Sequence, residues 1–426
     1  GGGRGGVLQH PLVGTGQADI TPPLGTRFGG FWIERPSPAT AVHDPLLATA
    51  VVLANGADAI AIVSCDLQTI SPDVVARVRA RVEAERGIPP EHVLVAATHD
   101  HAAPGGDASE RQIPEVDSFY TSPEAEQRIE DGIIAAVTEA FDGRRAAELR
   151  GQRGEIAGIG RSRNDPAEPA TSPATVLLAY EPGSDAPFAA VVNYGCHPSV
   201  LGPDSTALTA DYPGVLRREL ARRLGVESVT FLNAPAGDIS TRHTRCEQTF
   251  EELERLGLAL SDQIEALASS LVPVASGTVS GLRTLVDLPV DPSLLLRLSA
   301  ALEHEADRDS QRATRLRMQL ERLRAIDGPT IPCEVQVLRC GELAIVGVAG
   351  ELFSGPGRLI VDASPAGWTL VVAPANGTVG NLPAPEQHGS IRPLVGLEAE
   401  ALIRQAAGRL LEHLFMDKQK EDLRAG

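Results

Sequence analysis

The segment HVLVAATHDHAAPGG, residues 92–106, sets His99 and His101 one residue apart where an apolar run ends. Side chains two positions apart on an extended backbone point the same way, so these imidazoles can face one cavity; on a helix they would diverge. Two converging imidazoles suit a metal, or one metal ligand beside a general acid or base. Two further candidates close similar apolar runs: His197 after VVNYGC and Glu351 after IVGVAG. Neutral imidazoles with a carboxylate are usual ligands of catalytic zinc, which keeps one position open for water. Spacing alone does not bring such distant residues together. His10, His92, His304 and His413 are read as ordinary surface or core residues.

The elements that must position these groups read as α/β. Short apolar or β-branched runs (ATAVVLA, AIAIVSC, HVLVAAT, FAAVVNYG, SVTFLNA, LAIVGVA, TLVVAPA) alternate with segments of helical period at 74–87, 123–141, 214–224 and 248–270. That alternation predicts a mainly parallel or mixed sheet flanked by helices. Several runs end in a polar signature: Asp66, Asp238 with Ser240, and Asn376 join the histidines and Glu351 at strand ends. Open α/β sheets gather ligands at the carboxyl ends of their strands. The Arg-, Glu- and Leu-rich stretch 293–325 reads as a helical excursion from the sheet, with a lid as the alternative. No internal repeat is visible in the sequence.

A chain of 426 residues fits one large domain, read as 7–416, with 1–6 and 417–426 as flexible tails. The net charge of −18 argues against nucleic acid or an anionic membrane as partner. Five scattered cysteines without a C-x-x-C pair suggest reduced thiols rather than a disulfide framework. No apolar run reaches the roughly 18 residues of a membrane span, and the first residues lack the order of a signal peptide. A cytoplasmic location is the expectation.

The motifs ADITPPLG (18–25), VHDPLLATAVVL (42–53), ATHDHAAPGG (97–106), GRSRN (160–164), NYGCHPSVLG (193–202), TADYPG (209–214), NAPAGDIS (233–240) and GELFSGPGRLI (350–360) follow one another in fixed order. Each alone is weak. In this order the sequence resembles the neutral, non-lysosomal ceramidase family of zinc amidases, without the C-terminal β-sandwich domain of its larger members.

The resemblance implies one zinc per chain, held by His99, His197 and Glu351. The family's fourth ligand is a tyrosine, and the segment NGTVGNLPAPEQH, in register from Asn376, carries His388 at that place. Imidazole can ligate zinc as phenolate can, so His388 is the candidate fourth ligand; three protein ligands alone is the alternative. His101 and Arg161, the latter matching the family's arginine, are candidates to stabilise the oxyanion, and His101 to deliver the leaving-group proton. Ser240 matches a motif serine, read as holding a second contact around the metal rather than as nucleophile. Asp66 and Asp238 are expected to orient the histidines or to cap helices, and His43 and Asp44 to brace the site. The implied activity is hydrolysis of an N-acyl amide by attack of a zinc-bound water, on a small-molecule substrate smaller or more polar than ceramide, since only 4% of residues are aromatic. A zinc esterase or deacetylase, and a catalytically silent metabolite-binding relative, are the alternatives. Oligomeric state is left open.

Overall fold

The computed structural model describes residues 10–31, 34–35, 37–105, 122–169, 171–307, 309–387 and 393–416. The chain builds one unit three times. The first contains β1 (Leu12–Asp19), β2 (Leu47–Asn55), β3 (Asp58–Cys65), α1 (Pro72–Arg86), β4 (Val93–Ala97) and α2 (Pro123–Asp142). The second contains β5 (Glu148–Ala157), β6 (Thr171–Tyr180), β7 (Pro187–Tyr194), α3 (Asp211–Leu224), β8 (Ser228–Asn233) and α4 (Phe250–Ala268). The third opens with β9 (Val279–Pro289), makes the excursion α5 (Leu294–Glu303) and α6 (Gln311–Ala325), then continues through β10 (Thr330–Cys340), β11 (Leu343–Val348), α7 (Ser354–Asp362), β12 (Trp368–Val372) and α8 (Ala399–Phe415).

Strand order is the same in each: β4-β3-β2-β1, β8-β7-β6-β5 and β12-β11-β10-β9. The first three strands of every unit run antiparallel, and a crossover helix adds the last one parallel. The α/β class and a mixed sheet hold, but among the described residues there are three large sheets beside three two-stranded ones, and the repeat lies in topology rather than in residue identity.

Each sheet turns one face to its own helices: Val63 and Val95 to the first pair, Val192 and Phe231 to the second, Val346 and Val371 to the third. The opposite faces meet in a shared core that includes Leu53, Ile62, Leu177, Leu232, Ile345 and Leu370. Burying each such side chain contributes about 1.5–3 kcal/mol, so the three layers hold one another at fixed angles. The excursion has a small core of its own, Leu294, Leu298, Leu316 and Leu320.

Three asparagines tie the sheets together near the ends of their parallel strands. Asn233 Nδ2 donates to Thr98 O, joining the second sheet to the first. Asn193 Nδ2 donates to Leu232 O and across to Val371 O, joining the second to the third. Asn376 accepts from Val95 N at Oδ1 and sends its own backbone N–H to Val95 O, joining the third to the first. Such buried amides stabilise only when their partners are in place, so they fix the separation of the strand ends.

Candidate metal centre

The strand ends converge, one from each sheet. His99 follows β4, His197 follows β7 and Glu351 follows β11. Glu351 Oε2 lies 3.4 Å from His99 Nε2 and 3.7 Å from His197 Nε2. His101 joins them: one ring nitrogen from each of His99, His101 and His197 lies within 4.8 Å of the others.

The tautomers follow from the hydrogen bonds. His99 Nδ1 lies 2.8 Å from Gln68 O and His197 Nδ1 lies 3.0 Å from Ile239 O. A carbonyl only accepts, so in the neutral imidazole each Nδ1 carries the hydrogen and each Nε2 presents a lone pair to the centre. These carbonyls do the orienting expected of Asp66 and Asp238. Asp66 instead forms a buried two-pronged pair with Arg217, and Asp238 caps α7 by accepting from Ser354 N and Oγ. Helix capping, the plainer alternative for Asp238, is what it does.

Backbone geometry at His99 is unusual: its φ is 68°, a left-handed value rare for a residue with a side chain. Strain of this kind persists where surrounding structure over-determines it, and here Asn233 holds the preceding carbonyl.

Burial disfavours the charged forms of His101 and His197 beside the carboxylate of Glu351. Burial, helped by the Arg163 guanidinium, lowers the His197 pKa to about 4. Burial and the two neighbouring imidazoles hold His101 well below its ordinary value. Burial pushes Glu351 up, but the facing histidines outweigh it and keep the carboxyl well below the usual range.

The donors suit a metal such as zinc. Donors sharing one ion at about 2.0–2.2 Å in a tetrahedral arrangement sit roughly 3.3–3.6 Å from one another, close to the spacings of Glu351 from the two Nε2 atoms. Both ring nitrogens of His101 are buried without a hydrogen-bond partner, which is costly unless something meets them. His388 lies outside the described residues.

The remaining candidates are placed as follows. Ser240 is buried, its backbone bridged to His197 and paired with Arg161, and its Oγ accepts from Arg242 N at 3.3 Å. Arg161 sends Nη1 to Pro166 O at 3.1 Å. The arginine of the GRSRN motif that reaches a histidine ring is Arg163, whose Nη1 is 3.3 Å from His197 Nε2. The signal for it was the second arginine of GRSRN, passed over because motif matching favoured the first. His43 stacks on Phe250 with ring centroids 3.9 Å apart, and Asp44 accepts from Ala210 N at 3.1 Å. Asp44 braces the backbone at the start of α3, and His43 packs on the first residue of α4.

Sequence reasoning also passed over the cover of His101. Phe31 meets the His101 ring edge-on at 5.0 Å. Arg35, 2% exposed, donates to His101 O at 3.0 Å and Gly202 O at 2.7 Å, with its guanidinium over the Phe28 ring. Nearby, Glu34 pairs with Arg315 of α6 at 2.7 Å, tying the helical excursion to this cover.

No helix among the described residues is long and apolar enough to cross a membrane. No curated protein matches the chain. Similar solved structures include a ceramidase complexed with C2, at 18% identity and a TM-score of 0.75, and the neutral ceramidase from Pseudomonas aeruginosa, at 20% and 0.73. Each comparison covers 95% of this chain and 75% of the other, and at these identities shows a common fold. The family model for the N-terminal part of neutral/alkaline non-lysosomal ceramidases matches residues 12–251, more than half of the chain and the stretch carrying His99, His101, His197 and Ser240. The chain therefore belongs to the neutral/alkaline non-lysosomal ceramidase family of amide-bond hydrolases.

Proposed function

We propose that the protein is a zinc-dependent hydrolase of a linear N-acyl amide, with one metal ion held by His99, His197 and Glu351 and completed by His388. The observation that carries this reading is the convergence of two Nε2 lone pairs and one carboxylate oxygen from three separate sheets. A zinc ion bound there supplies a Lewis acid for the scissile carbonyl and lowers the pKa of water toward neutrality.

The chain's own residues do the rest. His101, neutral and with both ring nitrogens unspent, takes a proton from the attacking water and returns it to the departing amine nitrogen. The carbon–nitrogen bond breaks as that proton arrives, giving a carboxylic acid and an amine. Arg163, beside His197, offers positive charge to the oxygen that becomes anionic in the tetrahedral stage. Arg161 takes this role only by leaving Pro166 O. Ser240 positions the Arg242 turn against His197 through its backbone bridge and its hydroxyl. Phe31 and Arg35 keep bulk water off His101.

The test is zinc content after purification without added metal, together with hydrolysis of matched N-acyl and O-acyl compounds. About one zinc per chain, lost in His99→Ala and Glu351→Gln, with N-acyl cleavage dependent on it, supports the reading. Full N-acyl cleavage by protein stripped of metal overturns it.

A further inference from the structure

The charge around the histidines runs against the rest of the molecule. The chain carries a net charge of −18, and arginines elsewhere are commonly paired: Arg217 with Asp66, Arg79 with Glu334, Arg223 with Asp262, Arg404 with Glu400. Beside the centre the pattern reverses. Arg163, Arg242 and Arg245 form no ion pair with a carboxylate among the described residues. Arg163 points Nη1 at His197. Arg242 stands on the short turn Thr241–His243, which Ser240 holds by its hydroxyl. Arg245 rests Nη1 on Ser199 O and Thr241 Oγ1.

Arg163, whose backbone N–H is fixed to Asp238 O, reaches the site, and the turn that follows Ser240 sets Arg242 and Arg245 near it in the chain fold. Their proximity is felt electrostatically: Arg242 acts on both Arg163 and Arg245. The one carboxylate facing the centre, Glu351, is engaged between His99 and His197. A divalent ion among those ligands adds to the positive surplus. Arg163 and Arg245 are half-buried and feel carboxylates only without a direct ion pair, Glu351 and Asp238 for the first and Asp211 for the second, while Arg242 is exposed beside them; an incoming anion would give these cations a direct partner.

We propose that the substrate is an amide bearing a carboxylate a few bonds from the scissile carbonyl, received by Arg163 and Arg242 as it enters. This rests on the amide-hydrolase reading for the reaction, but the anion site stands on the arginines alone. The carboxylate can belong to the amine half, as in an N-acyl amino acid, or to the acyl half, as in a dicarboxylic monoamide. Guanidinium groups suit either, because their paired N–H donors match both carboxylate oxygens. Ceramide has no such group, so this separates the chain from relatives acting on neutral lipids.

The experiment compares N-butyrylglycine, N-propylsuccinamate and the neutral N-butyrylethanolamine. Dissociation constants are measured by titration calorimetry on metal-free protein, and kcat/KM on the zinc-loaded enzyme, in wild type, Arg163→Gln, Arg242→Gln and Arg242→Lys. Expected is a preference for one of the two anionic amides over the neutral one of about tenfold or more. The ratio should fall toward one in either glutamine variant, be partly kept in Arg242→Lys, and weaken with salt. Equal binding of all three compounds by wild type, or a preference that survives unchanged in both glutamine variants, overturns the inference. Arginine-dependent binding without hydrolysis of any amide upholds the anion site and removes the amidase reading; hydrolysis of all three at equal kcat/KM does the reverse.

Discussion

A Cβ on Gly30 would lie 2.4 Å from the Cβ of His101, closer than real side chains approach. The chain can pass over His101 there because residue 30 has no side chain, and that passage sets the place of the imidazole relative to His99 and His197. Gly30→Ala must move either the ring or its cover. A displacement of about 1 Å in a reacting group costs on the order of a hundredfold in rate, so hydrolysis should fall by at least about tenfold. Zinc content should stay at the wild-type level, since no proposed ligand is touched. Wild-type turnover in this variant would show that His101 plays no part in the chemistry.

Two residues are candidates for the fourth place beside His99, His197 and Glu351: His101, whose ring lies there, and the proposed ligand His388. If His388 completes the coordination and His101 moves protons, His388→Ala should weaken zinc affinity by more than the roughly 10–100-fold that loss of a residue merely orienting a ligand costs, while His101→Ala leaves it within a few-fold. Competition with a chromophoric chelator measures both. The opposite order would put His101 in the coordination sphere, in keeping with its two unpartnered ring nitrogens.

How far the sequence could be read follows from burial. β3, β4, β7, β8, β11 and β12 contain the parallel pairs, are buried almost throughout, and stand out as continuous apolar runs. The strands that escaped reading include β5 and β9, antiparallel members whose residues alternate between core and solvent and carry arginine with glutamate or aspartate. The proposed ligands His99, His197 and Glu351 were legible because each follows a visible strand. Arg163, Phe31 and Arg35 were not: they lie in irregular segments, and only tertiary packing brings them to the histidines. The threefold topology was hidden for a related reason, since it repeats strand order and burial while leaving each unit free to put a different residue, Asp66, His197 or Glu351, after its third strand.

Asp66, expected near the histidines, instead bonds Arg217 through both oxygens at 2.7 and 2.5 Å, with Asp66 0% exposed. The pair joins the end of β3 to α3, hence the first unit to the second. Removing one partner strands a buried charge at a cost of about 3–5 kcal/mol. Arg217→Met should therefore lower the free energy of unfolding in denaturant by that amount, and Asp66→Asn by a smaller one because it leaves a hydrogen-bonding group. A change under about 1 kcal/mol in Arg217→Met would mean that the pair is open to water.

The buried histidines make the metal-free protein sensitive to acid, with a sign that follows from His197. Its pKa falls from 6.5 to about 4, chiefly by burial and then by the Arg163 charge. Above pH 6.5 the imidazole is neutral in both folded and unfolded chains, and this group contributes no pH dependence. As pH drops below that value the unfolded chain takes a proton that the folded one refuses, so stability is lost progressively until about pH 4, where the folded form also protonates. The loss from His197 alone is roughly 3 kcal/mol. Denaturation midpoints of the metal-free protein should fall across this window, and the fall should be smaller in His197→Gln, which cannot titrate. Zinc should oppose the loss, because it binds the neutral imidazoles of the folded state. An identical acid slope in wild type and His197→Gln would place the responsible groups elsewhere in the chain.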